Sequence, residues 1–180
     1  MKLKKELRIV LVIMALIAMV MVMSGCGAND KDDKESKKSN FETPISNYFK
    51  GMEKGDLDTY KKAYPDFYND SMDLDEDDME NMHEKLEDEY GKDLKVSYDI
   101  TSNDDIEEDD IKNVQEYISL KYKEDVKVSE GKEVKVKATI KGSEDSDTDT
   151  ARMYVYNIDG EWKILNTSPS AAKSYVNIYK

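Results

Sequence analysis

The sequence predicts an α+β domain, and three observations predict it. Between residues 43 and 90 the apolar side chains recur at three- and four-residue spacing, from Leu94 they occupy every second position, and the alternating pattern returns between Val134 and Leu165. A period near 3.6 buries one stripe of a helix and a period of two buries one face of a strand, so helices come first and an antiparallel meander closes the chain.

Each element has its own local signal. The first helix starts at Thr43-Pro44, where Thr43 caps and Pro44 takes the first helical position, whose N–H is unpartnered in any case. Ile45, Tyr48, Phe49 and Met52 then share a face, and Gly55 stands near the end. Asp56 caps a second helix that presents Leu57, Tyr60 and Tyr64 and stops at Pro65. A third runs from about Leu74 to Tyr90 along Met79, Met82 and Leu86, with Gly91 as its C-cap. Leu94, Val96, Tyr98 and Ile100 alternate with Lys95, Ser97, Asp99 and Thr101 as a half-buried strand. Residues 106–121 form another helix, with Ile111, Val114 and Ile118 on one face and the acids of EEDD at the N-terminal end, where the dipole favours them. Val126 and Val128 begin a short strand, and Val134, Val136, Ala138 and Ile140 mark a longer one. GSEDSDTD reads as a polar loop, TARMYVYNI as a strand, and EWKIL as its hairpin partner across Asp159-Gly160, a pair that tolerates positive φ. In this arrangement the helices pack on one face of a curved antiparallel sheet.

The opening ISNYFKGMEKGDLDTYKKAYPDF and the closing VKVKATIKG…YVYNIDGEWKIL resemble the two ends of NTF2-like domains, particularly those of uncharacterised lipoproteins of Gram-positive bacteria. The resemblance covers roughly residues 41 to 166 and rests on pattern and on the Gly-x-Trp-x-Ile ending. It implies a conical pocket between helices and sheet, which some relatives use for catalysis and many for ligands or for no known purpose. Cystatin-like folds also pack a helix on a meander and are the alternative.

The N-terminus carries a second signal. Lys2, Lys4, Lys5 and Arg8 precede 15 consecutive apolar residues, positions 9–23. A helix of that length spans about 22 Å, short of the roughly 30 Å of a hydrocarbon core, as expected of a secretory signal rather than a permanent span. Met23-Ser24-Gly25-Cys26 resembles a bacterial lipobox, with Met23 where Leu is usual. The resemblance implies cleavage after Gly25 and a diacylglycerol thioether on Cys26, the sole cysteine, so residues 1–25 are the signal peptide. Two acyl chains hold a protein stably on a bilayer, where one holds it marginally. The competing reading is an uncleaved signal anchor. Residues 27–40, GANDKDDKESKKSN, have no large apolar side chain and read with Cys26 as a disordered tether. Their r.m.s. reach as a coil is about 20 Å. The domain then occupies residues 41–180, lipid-anchored at the cell membrane and facing the extracellular side.

For the activity the signals are weaker. A net charge of -13 argues against nucleic-acid binding, which needs Lys and Arg against phosphates. With one histidine and a lipidated cysteine, no nucleophile–base pair is evident, and His83 reads as a boundary residue of the third helix. No cofactor is implied. Asp73, Asp75, Asp77 and Glu84 fall at positions 1, 3, 5 and 12 of an EF-hand-like calcium loop, although Asp78 stands where the turn asks for glycine and the Met79–Leu86 stripe reads as helix. Tyr48, Tyr60, Tyr98, Tyr154 and Trp162 are the candidate lining of a ligand pocket; the competing reading has them close the core. Residues 66–110 hold 20 acids and 3 lysines, whereas residues 111–141 hold 8 lysines and 5 acids, a polarity that suits a cationic protein or peptide, or divalent cations, as partner. The function expected is a non-enzymatic ligand-binding or protein-interaction module. The alternatives are cation binding by residues 73–84, or a small-molecule enzyme using Asp99 beside Tyr98.

Overall fold

The structure, a computed structural model, describes residues 40–180. The signal peptide, Cys26 and nearly all of the tether lie outside the described residues. In chain order the elements are α1 (Glu42–Lys54), α2 (Leu57–Lys61), α3 (Asp66–Met72), α4 (Glu76–Tyr90), β1 (Lys95–Asp105), α5 (Glu108–Tyr122), β2 (Val128–Lys141), β3 (Ser146–Ile158), β4 (Glu161–Ile164) and α6 (Pro169–Tyr179). The four strands form one open antiparallel sheet in the order β1-β2-β3-β4, so the domain is α+β.

Helix α1 buries Ile45, Tyr48, Phe49 and Met52, the stripe read from the sequence. Its start differs by a turn position: the Glu42 N–H donates to Asn40 Oδ1 at 3.2 Å, so Asn40 rather than Thr43 serves the first orphan donors. Gly55 ends the helix in the left-handed region with φ 61°. Asp56 caps α2 as expected, accepting from the Thr59 N–H at 3.0 Å and the Thr59 hydroxyl at 2.7 Å. α2 crosses α1 so closely that a Cβ on Gly51 would sit 2.6 Å from the Tyr60 Cα and N. Pro65, expected only as a stop, also opens α3.

The sheet departs from expectation in three places. Val128 opens the same strand that carries Val134 to Ile140, with Val126 lying before it, so no separate short strand forms. The polar segment after Gly142 is largely strand, since Ser146, Asp147, Thr148 and Asp149 pair with Lys141, Ile140, Thr139 and Ala138. The helices also cover both faces rather than one. Phe49 of α1 stacks on Tyr98 at 4.9 Å, and the register carries that face from Tyr98 through Ala138 to the odd-numbered residues of β3, including Met153 and Val155. Tyr156 and Ile158 point to the opposite face, where they pack with Ile111, Val114 and Ile118 of α5 and Ala172 and Val176 of α6. Helix α6 has no counterpart in the sequence reading, yet Ser168 caps it, accepting from the Ala171 N–H at 3.1 Å, and Pro169 takes its first position.

The sheet has three stretches of outer edge. Along β4 the Ile164 N–H donates to the Ala63 carbonyl at 2.8 Å, so the α2–α3 connection covers the C-terminal end of this four-residue strand. Beyond β4 the outward N–H groups of β3 are answered by their own chain: Ser146, Thr148 and Thr150 donate to the carboxylates of Asp145, Asp147 and Asp149, each at 2.7 Å. The third stretch is β1, where the Val96 N–H donates to Glu53 Oε2 at 2.7 Å.

The Gly51–Tyr60 approach gives a direct test. Gly51→Ala must push α2 off α1, a cost of about 1–3 kcal/mol for overpacking. Thermal unfolding should show the midpoint several degrees lower, while Lys50→Ala on the exposed side of the same helix leaves it in place.

Candidate functional site

Three places bring chemistry-bearing side chains together. The first is an open cleft of about 570 Å³ walled by α2, α3, the start of α4 and Lys163 of β4. Asp58, Asp66, Asp70, Asp73 and Asp75 line it together with Lys61, Lys62 and Lys163. Local structure fixes these positions. The Asn69 side-chain N–H donates to the Lys61 carbonyl at 2.9 Å and ties α3 to the end of α2. Asp73 ends α3 at φ 49°, and Asp75 caps α4 in a reciprocal box with Asp78, its carboxylate accepting from the Asp78 N–H at 2.9 Å. The walls carry both signs, so the cleft suits a polar, charged surface rather than an apolar molecule.

The calcium loop read from the sequence is not formed. Asp73 and Asp75 both border the cleft, but α4 begins at Glu76, so Asp77 and Glu84 lie along a helix instead of wrapping around a point. Met79 holds that helix down, buried at 1% exposure. Among the described residues no group of three or more His, Cys, Asp or Glu side chains is placed to hold a metal ion.

The tyrosines read as pocket lining spend their surface on one another. Tyr48 meets Tyr60 at 5.3 Å and Phe49 at 5.0 Å, and the hydroxyls of Tyr60 and Tyr64 lie 3.2 Å apart. Burial pushes the Tyr48, Tyr60 and Tyr64 phenols above their ordinary range. Tyr154 lies on the opposite sheet face, on the side of the Arg152–Glu133 ion pair, and Trp162 is half-buried, edge-on to Phe41 at 6.2 Å. None of the five borders the cleft. Asp99 is exposed while Tyr98 faces α1, as strand alternation requires. His83 is a boundary residue, its Nδ1 3.4 Å from the Met52 carbonyl and its Nε2 3.9 Å from Glu87.

Sequence reading missed the second place, a cluster around Tyr117. Lys121 Nζ donates to the Tyr117 hydroxyl oxygen at 2.8 Å, and the Thr167 hydroxyl donates to the same oxygen at 3.2 Å. The ammonium also lies 5.3 Å and 5.2 Å from the ring centres of Tyr117 and Tyr122. Burial pushes the Tyr117 phenol up, but the bonds from Lys121, Thr167 and Tyr122 outweigh it and hold the phenol below its ordinary value; burial and Tyr117 itself push Tyr122 up. The Tyr-x-x-x-Lys spacing was visible, since residues four apart share a helix face, but Thr167 comes from a distant loop. The third place is the acidic run on β1 and the start of α5, which faces solvent beside the strand edge.

Compared with known proteins, the chain matches no family model, no curated protein and no solved structure. The likeness to NTF2-like domains therefore rests on the sequence pattern alone.

With its folded-state pKa below that of the unfolded chain, Tyr117 stabilises the fold when ionised. That contribution is present above the ordinary tyrosine pKa and is lost as pH falls through the folded value. In ¹³C-tyrosine NMR titrations Tyr117 should ionise ahead of Tyr60 and Tyr154, and Lys121→Met, which removes the largest lowering contribution, should move it upward.

Proposed function

We propose that the chain is an extracytoplasmic lipoprotein of bacterial type, held at the cell membrane through diacylglycerol on Cys26, and that its domain, NTF2-like in design, is a non-enzymatic interaction module for cationic polypeptides. The observation that carries the anchor is Met23-Ser24-Gly25-Cys26 directly behind the apolar run, at the only cysteine. The helix described from Glu42 begins two residues after the polar stretch ends, which suits a tether of about 20 Å reach between lipid and domain.

The interaction reading is supported by how the interior is used. Tyr48, Tyr60 and Tyr64 are buried against one another, so these three rings are committed to packing rather than to a ligand. The polar features lie outside, in a cleft with walls of both signs and on an acidic strand edge. Such surfaces attract and orient charged macromolecules. Asp99 and Tyr98 point to opposite sides of β1, which leaves the enzymatic alternative without a paired acid and phenol there.

Mass spectrometry of the protein from a bacterial membrane fraction tests the anchor. The expected result is an N-terminal peptide beginning at residue 26 with a diacylglycerol thioether, and full loss of that mass in Cys26→Ser, with the leader retained. An intact leader with an unmodified thiol would overturn the anchor.

A further inference from the structure

The three edges of the sheet are not treated alike. β4 is four residues long and is covered at Ile164 by the Ala63 carbonyl, and the outer N–H groups of β3 at Ser146, Thr148 and Thr150 are answered by aspartates. β1 forms the far edge of the sheet. The Val96 N–H points outward, to Glu53, and in an antiparallel ladder both backbone groups of every second residue point the same way. Tyr98 and Ile100 therefore present N–H and C=O outward, and no hydrogen bond from the described residues reaches them. The irregularity between Ile100 and Ser102 shifts the parity, and the Ile106 N–H returns inward to the Gly131 carbonyl at 2.9 Å, so the outward residues continue as Asn103 and Asp105. The other edges are interrupted, β4 by its shortness and the Ala63 contact and β3 by three aspartates, whereas β1 offers the longest uninterrupted stretch of outward backbone groups.

The charge along this edge selects what can add to it. From Val96 to Ile111 the chain carries seven acids and no Lys or Arg. Lys132 pairs with Asp105, and Lys112 with Glu108 and Asp109, which leaves Asp99, Asp104, Glu107 and Asp110 without an ion pair among the described residues. Lys95 opens the strand, but over the stretch from Tyr98 to Asp105 the charges are Asp99, Asp104 and Asp105, so a cationic strand laid along it is attracted.

We propose that the outer edge of β1, from Tyr98 to Asp105, accepts an extended cationic segment of a partner polypeptide as an added strand. Backbone bonds form to Tyr98 and Ile100, and Lys or Arg side chains at alternate positions lie against Asp99 and Asp104 on the solvent face. Alternation then places the intervening guest residues on the side of Tyr98 and α1, where apolar or small side chains fit. This rests on the reading of the domain as an interaction module and names the mode by which it would bind.

The experiment uses the full-length protein in detergent and a capped decapeptide alternating Lys and Val. Hydrogen exchange at the Tyr98 and Ile100 amides should slow at least tenfold on binding. The same peptide N-methylated at alternate residues, and a decapeptide alternating Glu and Val, should each bind at least tenfold more weakly. Ile100→Pro removes one outward donor and should weaken binding about tenfold; Asp99→Asn with Asp104→Asn, both on exposed positions, keeps the fold and should weaken it and flatten its salt dependence. Binding that leaves both amides unprotected would overturn the edge while leaving an interaction module, one that works through another surface. Equal binding of the N-methylated or the acidic peptide, or no binding of the Lys-Val peptide, would overturn the proposal. None of these outcomes bears on the lipid at Cys26, which is read separately.

Discussion

The constraint on which the fold depends is the segment of β3 from Met153 to Ile158. Met153 and Val155 are 3% and 0% exposed, and Tyr156 and Ile158, their neighbours on the other side of the pleat, are 0% and 6% exposed. Successive side chains point to opposite faces, so no single layer of helices can cover this segment. The N-terminal helices shield one side and α5 with α6 the other, and each large apolar side chain so covered contributes about 1.5–3 kcal/mol. Neither layer is an accessory: removing either one bares half of the strand that the other packs against.

The sequence was legible where burial follows a local period. Ile45, Tyr48, Phe49 and Met52 announced α1, and Asp56 and Asp159-Gly160 announced a cap and a turn that the structure contains. It was opaque where tertiary pairing decides. Asp145, Asp147 and Asp149 look like loop residues, yet each satisfies the next backbone N–H and so lets a polar stretch serve as strand. Regular acid spacing from Asp73 suggested ligands around an ion; the same residues at a helix start act on the backbone instead, as the Asp75–Asp78 box shows. The order Ser168-Pro169 followed by Ala172, Tyr175 and Val176 was a readable helix signal that the NTF2-like comparison, ending near residue 166, left outside its frame.

Candidate sites were harder to read than elements because chemistry needs groups from distant positions. Tyr117 and Lys121 are one turn apart, but the oxygen they share acquires its character only when Thr167 arrives from the loop before α6. Tyrosines expected around a ligand turned inward for the opposite reason: Tyr48, Tyr60 and Tyr64 sit where α1 and α2 cross, and rings fill the space that a small residue at Gly51 makes possible. The charged groups were left to the surface, where the cleft and the β1 edge divide them between mixed and single sign.

Phe41 has a mechanical meaning. Its ring rests edge-on against Trp162 of β4, and the Lys132 ammonium of β2 lies 5.3 Å from its centre. The chain thus enters the domain through a residue touching two strands before α1 has completed a turn. A load arriving from upstream therefore meets two weak ring contacts, each worth about 0.5–1 kcal/mol, before it reaches the first helical hydrogen bonds.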